Sequence, residues 1–148
     1  MQLTQYTDYS LRVLIYLSQK PQGDLATITE ISDFYGISRN HLVKVVHNLA
    51  TTGFINTLRG KYGGMQLARP AAEIGIGDVV RKTEPNFDIA ECFNTSNQSC
   101  VISNICSLKG ILKEARDKFL QTLDGYTIAD TLAPQNGLAG IINIKLVA

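Results

Sequence analysis

Apolar residues recur every three or four positions near the start of the chain, which predicts an amphipathic first helix. Thr7 and Asp8 are residue types that cap helix N-termini, and the helix should end before Pro21. Its apolar positions are Tyr9, Leu11, Val13, Leu14, Ile15, Tyr16 and Leu17.

Two further helices follow a short polar connection. Thr27 and Glu30 form a capping-box pattern, which predicts a second helix over residues 28–34 that is closed by Tyr35 and Gly36. Ser38 is suited to cap a third helix, so the pair predicts a helix-turn-helix unit. The apolar face of the third helix consists of Leu42, Val45, Val46 and Leu49.

The pattern changes to strand-like after Gly53, a residue type typical of a helix C-terminus. Residues 54–58 and 65–68 flank a basic, glycine-rich segment at 59–64, which predicts a β-hairpin. Residues 76–82 predict a short helix, and Pro85 opens a polar segment.

The last third of the chain holds one long helical pattern. Steps of three and four predict an amphipathic helix from Ser107 to about residue 124, ending at Gly125. Thr127 is placed to cap a last short helix. The tail over residues 136–148 is apolar but weakly patterned, which suggests an edge strand or a segment that depends on a partner.

These elements predict a mostly α, α+β fold, in the order of a winged helix-turn-helix followed by a long C-terminal helix. The natural divisions are residues 1–82, 83–106 and 107–148. With 148 residues, 45% of them apolar, the chain can form one hydrophobic core. It has neither a signal-peptide pattern nor an apolar run long enough to cross a membrane, so we expect a cytoplasmic protein without a membrane partner.

The formal net charge of +1 conceals a basic block. Residues 36–69 contain five Arg and Lys residues and no acid, which is the pattern expected of a surface that binds nucleic acid. The second helix of a helix-turn-helix enters the major groove, and a wing contacts backbone or minor groove. The alternative is a packing domain with ordinary solvated charges. The candidate DNA-binding residues are Ser38, Arg39, Asn40, His41 and Lys44 on the helix and Arg59, Lys61 and Tyr62 on the wing.

All three cysteines lie within fifteen positions of the polar segment, at Cys92, Cys100 and Cys106. An odd number of cysteines in a reducing compartment argues against a disulfide framework. Three clustered thiols instead indicate a metal site that lacks one ligand, either an iron-sulfur cluster or a zinc ion. The alternative is that the thiols are inert.

Together these features resemble the Rrf-type iron-sulfur transcription regulators, and among them the nitric-oxide-sensing repressors. No single motif is specific to this family, but the order and spacing of the motifs over residues 1 to about 130 are specific to it. The resemblance is carried by Met1-Gln2-Leu3-Thr4, Tyr6-Thr7-Asp8-Tyr9, residues 35–44, Arg59-Gly60-Lys61-Tyr62-Gly63-Gly64, Ile76-Gly77-Asp78-Val79-Val80-Arg81 and the three cysteines.

The resemblance implies a homodimer that represses transcription from a palindromic, AT-rich DNA site and is not an enzyme. Residues 1–82 would bind DNA, residues 83–106 would form a cluster-binding loop, and residues 107–148 would provide the dimerisation helix and tail. The apolar stripe of that helix has an alternative partner in the chain's own core. The signal would be nitric oxide, which reacts with the cluster and releases the DNA.

The resemblance also implies the cluster ligands. Cys92, Cys100 and Cys106 match the family's three cysteines, although the seven residues between the first two exceed the five expected. The fourth ligand would be Asp8 of the other subunit, and a 4Fe-4S cluster is favoured over 2Fe-2S. Some members carry a histidine ligand soon after the last cysteine, but this chain has Ser107, Leu108 and Lys109 there. His41 and His47 are poor alternative ligands, because both lie in the predicted DNA-reading helix.

Three other functions fit parts of the sequence, and the simplest of them is a purely structural metal module. A regulator of the same architecture can report iron-sulfur supply or oxidative stress instead of nitric oxide. An iron-sulfur electron-transfer protein or enzyme subunit would use the cluster for redox chemistry, but the acid-free basic block disfavours it. On the sequence alone, Asp8 is equally explained as a helix cap.

Overall fold

The first helix begins earlier than its pattern predicts. The computed structural model describes residues 2–94 and 100–132, and α1 spans Gln5–Ser18. Its N-cap is Thr4, whose hydroxyl oxygen accepts a hydrogen bond from the Thr7 amide, so the prediction that Thr7 or Asp8 caps the helix is wrong. Thr4 is held by Glu84, whose carboxylate accepts bonds from its amide at 2.7 Å and its hydroxyl at 3.0 Å.

The helix-turn-helix is confirmed. Helix α2 spans Ile28–Tyr35, and both hydrogen bonds of the predicted capping box are present. Gly36 ends it in the left-handed conformation, with φ 68°. Helix α3 spans Arg39–Thr51 with Ser38 as its N-cap residue, although the Ser38 side chain makes no capping bond.

The predicted hairpin is also present. Strands β1 (Ile55–Leu58) and β2 (Gly64–Leu67) pair antiparallel, with Leu58 opposite Gly64. Ala26, just before α2, exchanges two backbone hydrogen bonds of 2.8 and 2.9 Å with Met65. The hairpin is therefore attached to the start of the helix-turn-helix.

Two more helices follow. Helix α4 spans Ile76–Thr83, and α5 spans Ser107–Asp124, as the sequence predicts. Short 3₁₀ helices form at Glu91–Phe93 and Ala129–Leu132. Ahead of the last one, the Asp130 carboxylate accepts hydrogen bonds from the Thr127 amide at 2.6 Å and the Thr127 hydroxyl at 2.7 Å. The tail over residues 136–148 lies outside the described residues.

A single core joins α1 to α4, the hairpin and the segment after α5. Helix α5 differs, because none of its residues is buried in the described structure and its apolar Leu108 and Ile111 are exposed. No helix among the described residues is long and apolar enough to cross a membrane. The fold class is the predicted α+β winged helix-turn-helix. The largest fully buried side chains of the core are Tyr16, Leu14, Ile31, Leu42, Leu49, Ile55, Ile74, Ile128, Val13, Val45 and Val79.

Candidate nucleic-acid interface and cysteine site

The turn between α2 and α3 is fixed by backbone bonds and one buried side chain. The carbonyl of Ser32 accepts from the amides of Gly36 and Ile37, and the Ser32 hydroxyl donates to the Ile37 carbonyl at 2.7 Å. Ile37 is itself buried. These contacts set the angle at which α3 leaves the turn.

Helix α3 turns its apolar face inward and a polar face to solvent. The five predicted DNA-binding residues at its start, Ser38, Arg39, Asn40, His41 and Lys44, are all exposed. The start of α3 carries no acidic residue, and the Ser38 hydroxyl is not used as a cap. This end of the helix therefore presents donors and positive charge together, which suits a phosphate or base edge.

One residue of this surface was missed from the sequence. Val43 lies among Arg39, Asn40, Lys44 and His47 on the exposed side of α3, and its surface is 51% exposed. We call these five residues the reading face. Val43 follows Arg39 by four positions and Asn40 by three, so helical spacing places it on the same face as these two residues. An apolar residue is nevertheless assigned to the core unless the buried face of the helix is known.

Two tyrosines of α1 contact α3. The Tyr6 hydroxyl donates to the Lys44 carbonyl at 3.2 Å, and the Tyr9 ring lies 6.1 Å from the His41 ring. His41 is therefore engaged with α1 as well as being exposed toward solvent. Asp8 lies between these two tyrosines in sequence, so α1 connects its position directly to the reading face.

The wing tip projects into solvent. Arg59, Lys61 and Tyr62 are exposed, Tyr62 by 86%, and the Lys61 Nζ lies 5.7 Å from the Tyr62 ring centre. Gly60 has a φ of 115°, which disfavours a side chain there, and its carbonyl accepts from the Gly63 amide at 3.0 Å. A tight turn thus presents both charges at the end of the hairpin.

Arg69 belongs to the basic block but serves the fold. Its guanidinium donates to the carbonyls of Gly53 and Glu73 at 3.0 and 3.1 Å and lies 5.2 Å from the Phe54 ring centre. The other four bases of the block form no ion pair with any acid in the described residues. The available positive charge is therefore that of Arg39, Lys44, Arg59 and Lys61.

Asp8 is not free in this structure. Both of its carboxylate oxygens accept hydrogen bonds from Arg12, at 3.0 Å from Nε and 2.8 Å from Nη2. The hydrogen bond to Asp8 is the largest cause of a raised pKa of Arg12. The same guanidinium lies 5.8 Å from the ring centre of Tyr35, the last residue of α2.

Described residues at both ends of the cysteine segment contact α5. Cys92 belongs to the 3₁₀ helix whose Phe93 ring lies 5.1 Å from the Arg116 guanidinium, and Cys106 is the N-cap residue of α5. Lys109 donates to the Ser103 hydroxyl at 2.9 Å. Arg116 is ten residues along α5 from Cys106, which corresponds to about 15 Å of helical rise.

The donor chemistry of the cysteine segment fits an iron-sulfur cluster. Cys92, Cys100 and Cys106 are free thiols, each at least partly exposed, and thiolates are the ligands that iron-sulfur clusters use. Within residues 2–94 and 100–132, no three His, Cys, Asp or Glu side chains are gathered closely enough to hold a metal ion. Among these described residues, Asp8 and the cysteines therefore do not form a metal-binding group within one chain.

The fold and the exposed basic face define a winged helix-turn-helix regulator that binds DNA. More specifically, the chain belongs to the Rrf2 family, described as iron-dependent transcriptional regulators, whose model matches residues 3–134. The protein is therefore a transcriptional regulator, and the family resemblance seen in the sequence is confirmed.

The most informative relatives share one name. The chain is 44% identical over 145 residues to the HTH-type transcriptional regulator NsrR of Shouchella clausii (strain KSM-K16), covering 98% of this chain and 97% of that protein. It is 45% identical over 145 residues to NsrR of Bacillus subtilis (strain 168), covering 98% and 99%.

Solved structures support the fold. CymR, the global cysteine regulator of B. subtilis, matches with a TM-score of 0.73 at 24% identity, covering 88% of this chain and 95% of that chain. IscR of T. potens matches with a TM-score of 0.71 at 22% identity, covering 89% and 86%. At these identities the likeness concerns the fold alone.

Proposed function

We propose that this protein is a homodimeric, iron-sulfur transcriptional repressor that releases its operator in response to nitric oxide. The observation that carries the proposal is the connection, within one short helix, between a candidate cluster ligand and the reading face. Helix α1 holds Asp8 between Tyr6 and Tyr9, and both tyrosines contact α3. The resemblance to nitric-oxide-sensing repressors, and relatives named NsrR, support the choice of signal.

DNA binding is assigned to the reading face, to its neighbours Ser38 and His41, and to the wing. The Ser38 hydroxyl and the first amides of α3 would contact a phosphate, while Arg39 and Asn40 would donate hydrogen bonds to base edges in the major groove. His41 and Lys44 would lie beside the backbone. At the wing, Arg59, Lys61 and Tyr62 would contact the neighbouring phosphates or the minor groove. A palindromic, AT-rich operator matches a two-fold symmetric dimer.

The dimer interface is assigned to α5. Its apolar stripe has no buried residue within the described structure, with Leu108 59% and Ile111 64% exposed. Leu112, Phe119 and Leu123 of the same stripe are half-buried within the chain, so it is the beginning of the stripe that is left for a partner. We accordingly assign residues 1–82 to DNA binding, 83–106 to cluster binding, and 107–148 to dimerisation and the tail.

The cluster, of the 4Fe-4S rather than the 2Fe-2S type, is assigned to Cys92, Cys100 and Cys106, with Asp8 of the partner subunit as the fourth ligand. When bound, it supplies iron that reacts with nitric oxide. A carboxylate is a hard ligand beside three soft thiolates, so it is the ligand most easily exchanged.

Asp8 must leave Arg12 before it can bind across the dimer. Its exchange between the two partners would move α1, and with it Tyr6 and Tyr9 behind α3. The pair with Arg12 is half-exposed and spans i,i+4, so separating it costs only about 0.5 kcal/mol. A change in DNA affinity of ~1 to 3 kcal/mol is enough for a switch.

An anaerobic gel shift tests the proposal. The reconstituted protein is titrated onto an operator selected from random DNA, before and after stepwise addition of nitric oxide, with oxygen exposure as a parallel arm. We expect tight binding that is lost with nitric oxide. A C92S/C100S/C106S variant is the control, since it should bind weakly and ignore the signal.

Four results would contradict the proposal in different ways. Binding that does not change with nitric oxide refutes the sensing role, and loss with oxygen alone indicates a regulator of oxidative status. A colourless protein with stoichiometric zinc refutes the cluster. Native mass spectrometry under the same conditions reports subunit number and iron content, and a monomer with an intact cluster refutes the dimer.

A further inference from the structure

A charged pair ties the last residue of α5 to the winged domain. Asp124 ends α5, and its carboxylate accepts hydrogen bonds from both terminal nitrogens of Arg81 on α4, one of them 2.8 Å from Nη2 to Oδ2. The hydrogen bond from Arg81 lowers the pKa of Asp124. A planar fork on a carboxylate fixes orientation as well as distance.

A glycine makes room for this pair. Gly77 lies in the first turn of α4, and a Cβ at this position would lie 2.8 Å from Arg81 Nη1 and 3.1 Å from Asp124 Cγ. Both atoms belong to the ends of side chains, so an alanine could be accommodated by moving the pair and leaving the backbone in place. We call Gly77, Arg81 and Asp124 the α4–α5 clasp.

The chain just beyond α5 is firmly anchored. The Ile76 amide donates to the Tyr126 carbonyl and the Ile128 amide to the Ile74 carbonyl, each at 2.9 Å. Ile74 and Ile128 are completely buried. The end of α5 is thus a fixed point, whereas no described residue of α5 itself is buried.

Helix α5 therefore acts as a lever. Its other end, at Ser107, lies about 26 Å from Asp124 at 1.5 Å per residue. A rotation of roughly 10° at the clasp would displace that end by about 4 to 5 Å by the same geometry. The backbone anchor fixes where α5 is attached, and the clasp restrains the direction in which it leaves.

We propose that the α4–α5 clasp sets the separation of the two reading faces in the dimer, so that Gly77, Arg81 and Asp124 are positioning residues for operator spacing. This inference rests on the proposed function, in which α5 joins the two subunits. Half-sites for such dimers lie ~34 Å apart, and a misplaced second reading face loses its contacts. The pair is exposed to solvent, so its loss should alter geometry far more than stability.

The test compares operators of different half-site spacing. Affinities of the full-length, cluster-loaded protein are measured for the selected operator, for versions with one base pair added or removed at the centre, and for a single half-site. The variants are R81Q, D124N, G77A and the charge swap R81D/D124R. K113Q is the matched control, because it removes an exposed ion pair with Asp117 that lies entirely within α5.

We expect wild-type protein and K113Q to prefer the selected spacing by roughly tenfold or more, within the usual range of coupling between two sites. R81Q, D124N and G77A should reduce that preference severalfold while leaving half-site affinity, sedimentation as a dimer and melting temperature nearly unchanged. The charge swap should restore part of it. G77A is decisive, since it keeps both charges and replaces glycine by a better helix former.

Variants that keep the wild-type spacing preference overturn the inference. So does a uniform loss of affinity that includes the single half-site, because it indicates a merely structural role. A wild-type protein that is monomeric, or that binds one and two half-sites equally, refutes the proposed dimeric function itself and with it the role of the clasp.

Discussion

Val43 should read a thymine methyl group. It is the apolar member of the reading face, and the C5-methyl of thymine is the apolar group that the major groove offers. Its side chain is 51% exposed in the free protein and flanked by Arg39, Asn40, Lys44 and His47, so a bound duplex would cover it. An AT-rich operator would supply the methyl group.

The size of the effect follows from burying one thymine methyl group in each half-site. Burying one methyl group is worth about 0.8 kcal/mol. The two subunits of a dimer would each make the contact, giving about 1.6 kcal/mol, or roughly a 15-fold change in affinity. The V43A substitution should change the free energy of unfolding by less than about 0.5 kcal/mol, because the side chain is on the surface.

Deoxyuridine provides the assay, since it differs from thymidine by the methyl group alone. Each symmetric pair of thymines in the selected operator is replaced in turn, and affinities are measured for wild-type protein, V43A and V43T. One pair should weaken wild-type binding by roughly 15-fold and V43A hardly at all, with V43T between them. V43A and deoxyuridine each cost binding free energy. If their combined cost equals the sum of the two separate costs within about 0.5 kcal/mol at every position, Val43 does not touch a methyl group.

Two further predictions concern α1 and α2. D8N should leave the free energy of unfolding of cluster-free protein within about 0.5 kcal/mol of wild type, because the pair with Arg12 is half-exposed, but lower the iron bound after anaerobic reconstitution. Unchanged iron content would remove Asp8 from the ligands. E30Q should lower the free energy of unfolding by about 2 kcal/mol at pH 7, since the carboxylate accepts from Lys20 and Tyr16. Burial alone would raise the pKa of Glu30, but these hydrogen bonds lower it, so its contribution is full above the unfolded pKa of about 4.3 and disappears as the pH falls through the folded value. Urea titrations at pH 7 and pH 3.5 that give equal differences between E30Q and wild type would contradict this.

The candidate cluster ligands and candidate DNA-binding residues illustrate how much the residue types alone predict. Three free thiols and an exposed basic helix were predicted from the sequence and are present in the structure. Within the described residues of one chain, no three potential ligands are gathered closely enough to hold a metal ion, so the sequence supplied the thiols but not their arrangement.

The sequence by itself determined the elements whose signals are local. The capping box of Thr27 and Glu30, the left-handed Gly36 and the hairpin after Gly53 depend on contacts within a few residues, so a short window contains the information. The long helix α5 was equally readable, because its apolar steps repeat over its whole length.

Tertiary structure decided the features that join distant positions. Helix α1 begins at Gln5, and its N-cap residue Thr4 is held by Glu84, eighty residues away. Arg69 reaches back sixteen residues to Gly53, and Arg81 meets Asp124 across forty-three. Side-chain pairs of this kind have no periodic signature, since they arise only when the core has fixed which surfaces face each other. The direction in which α5 leaves the winged domain therefore belongs to the folded molecule.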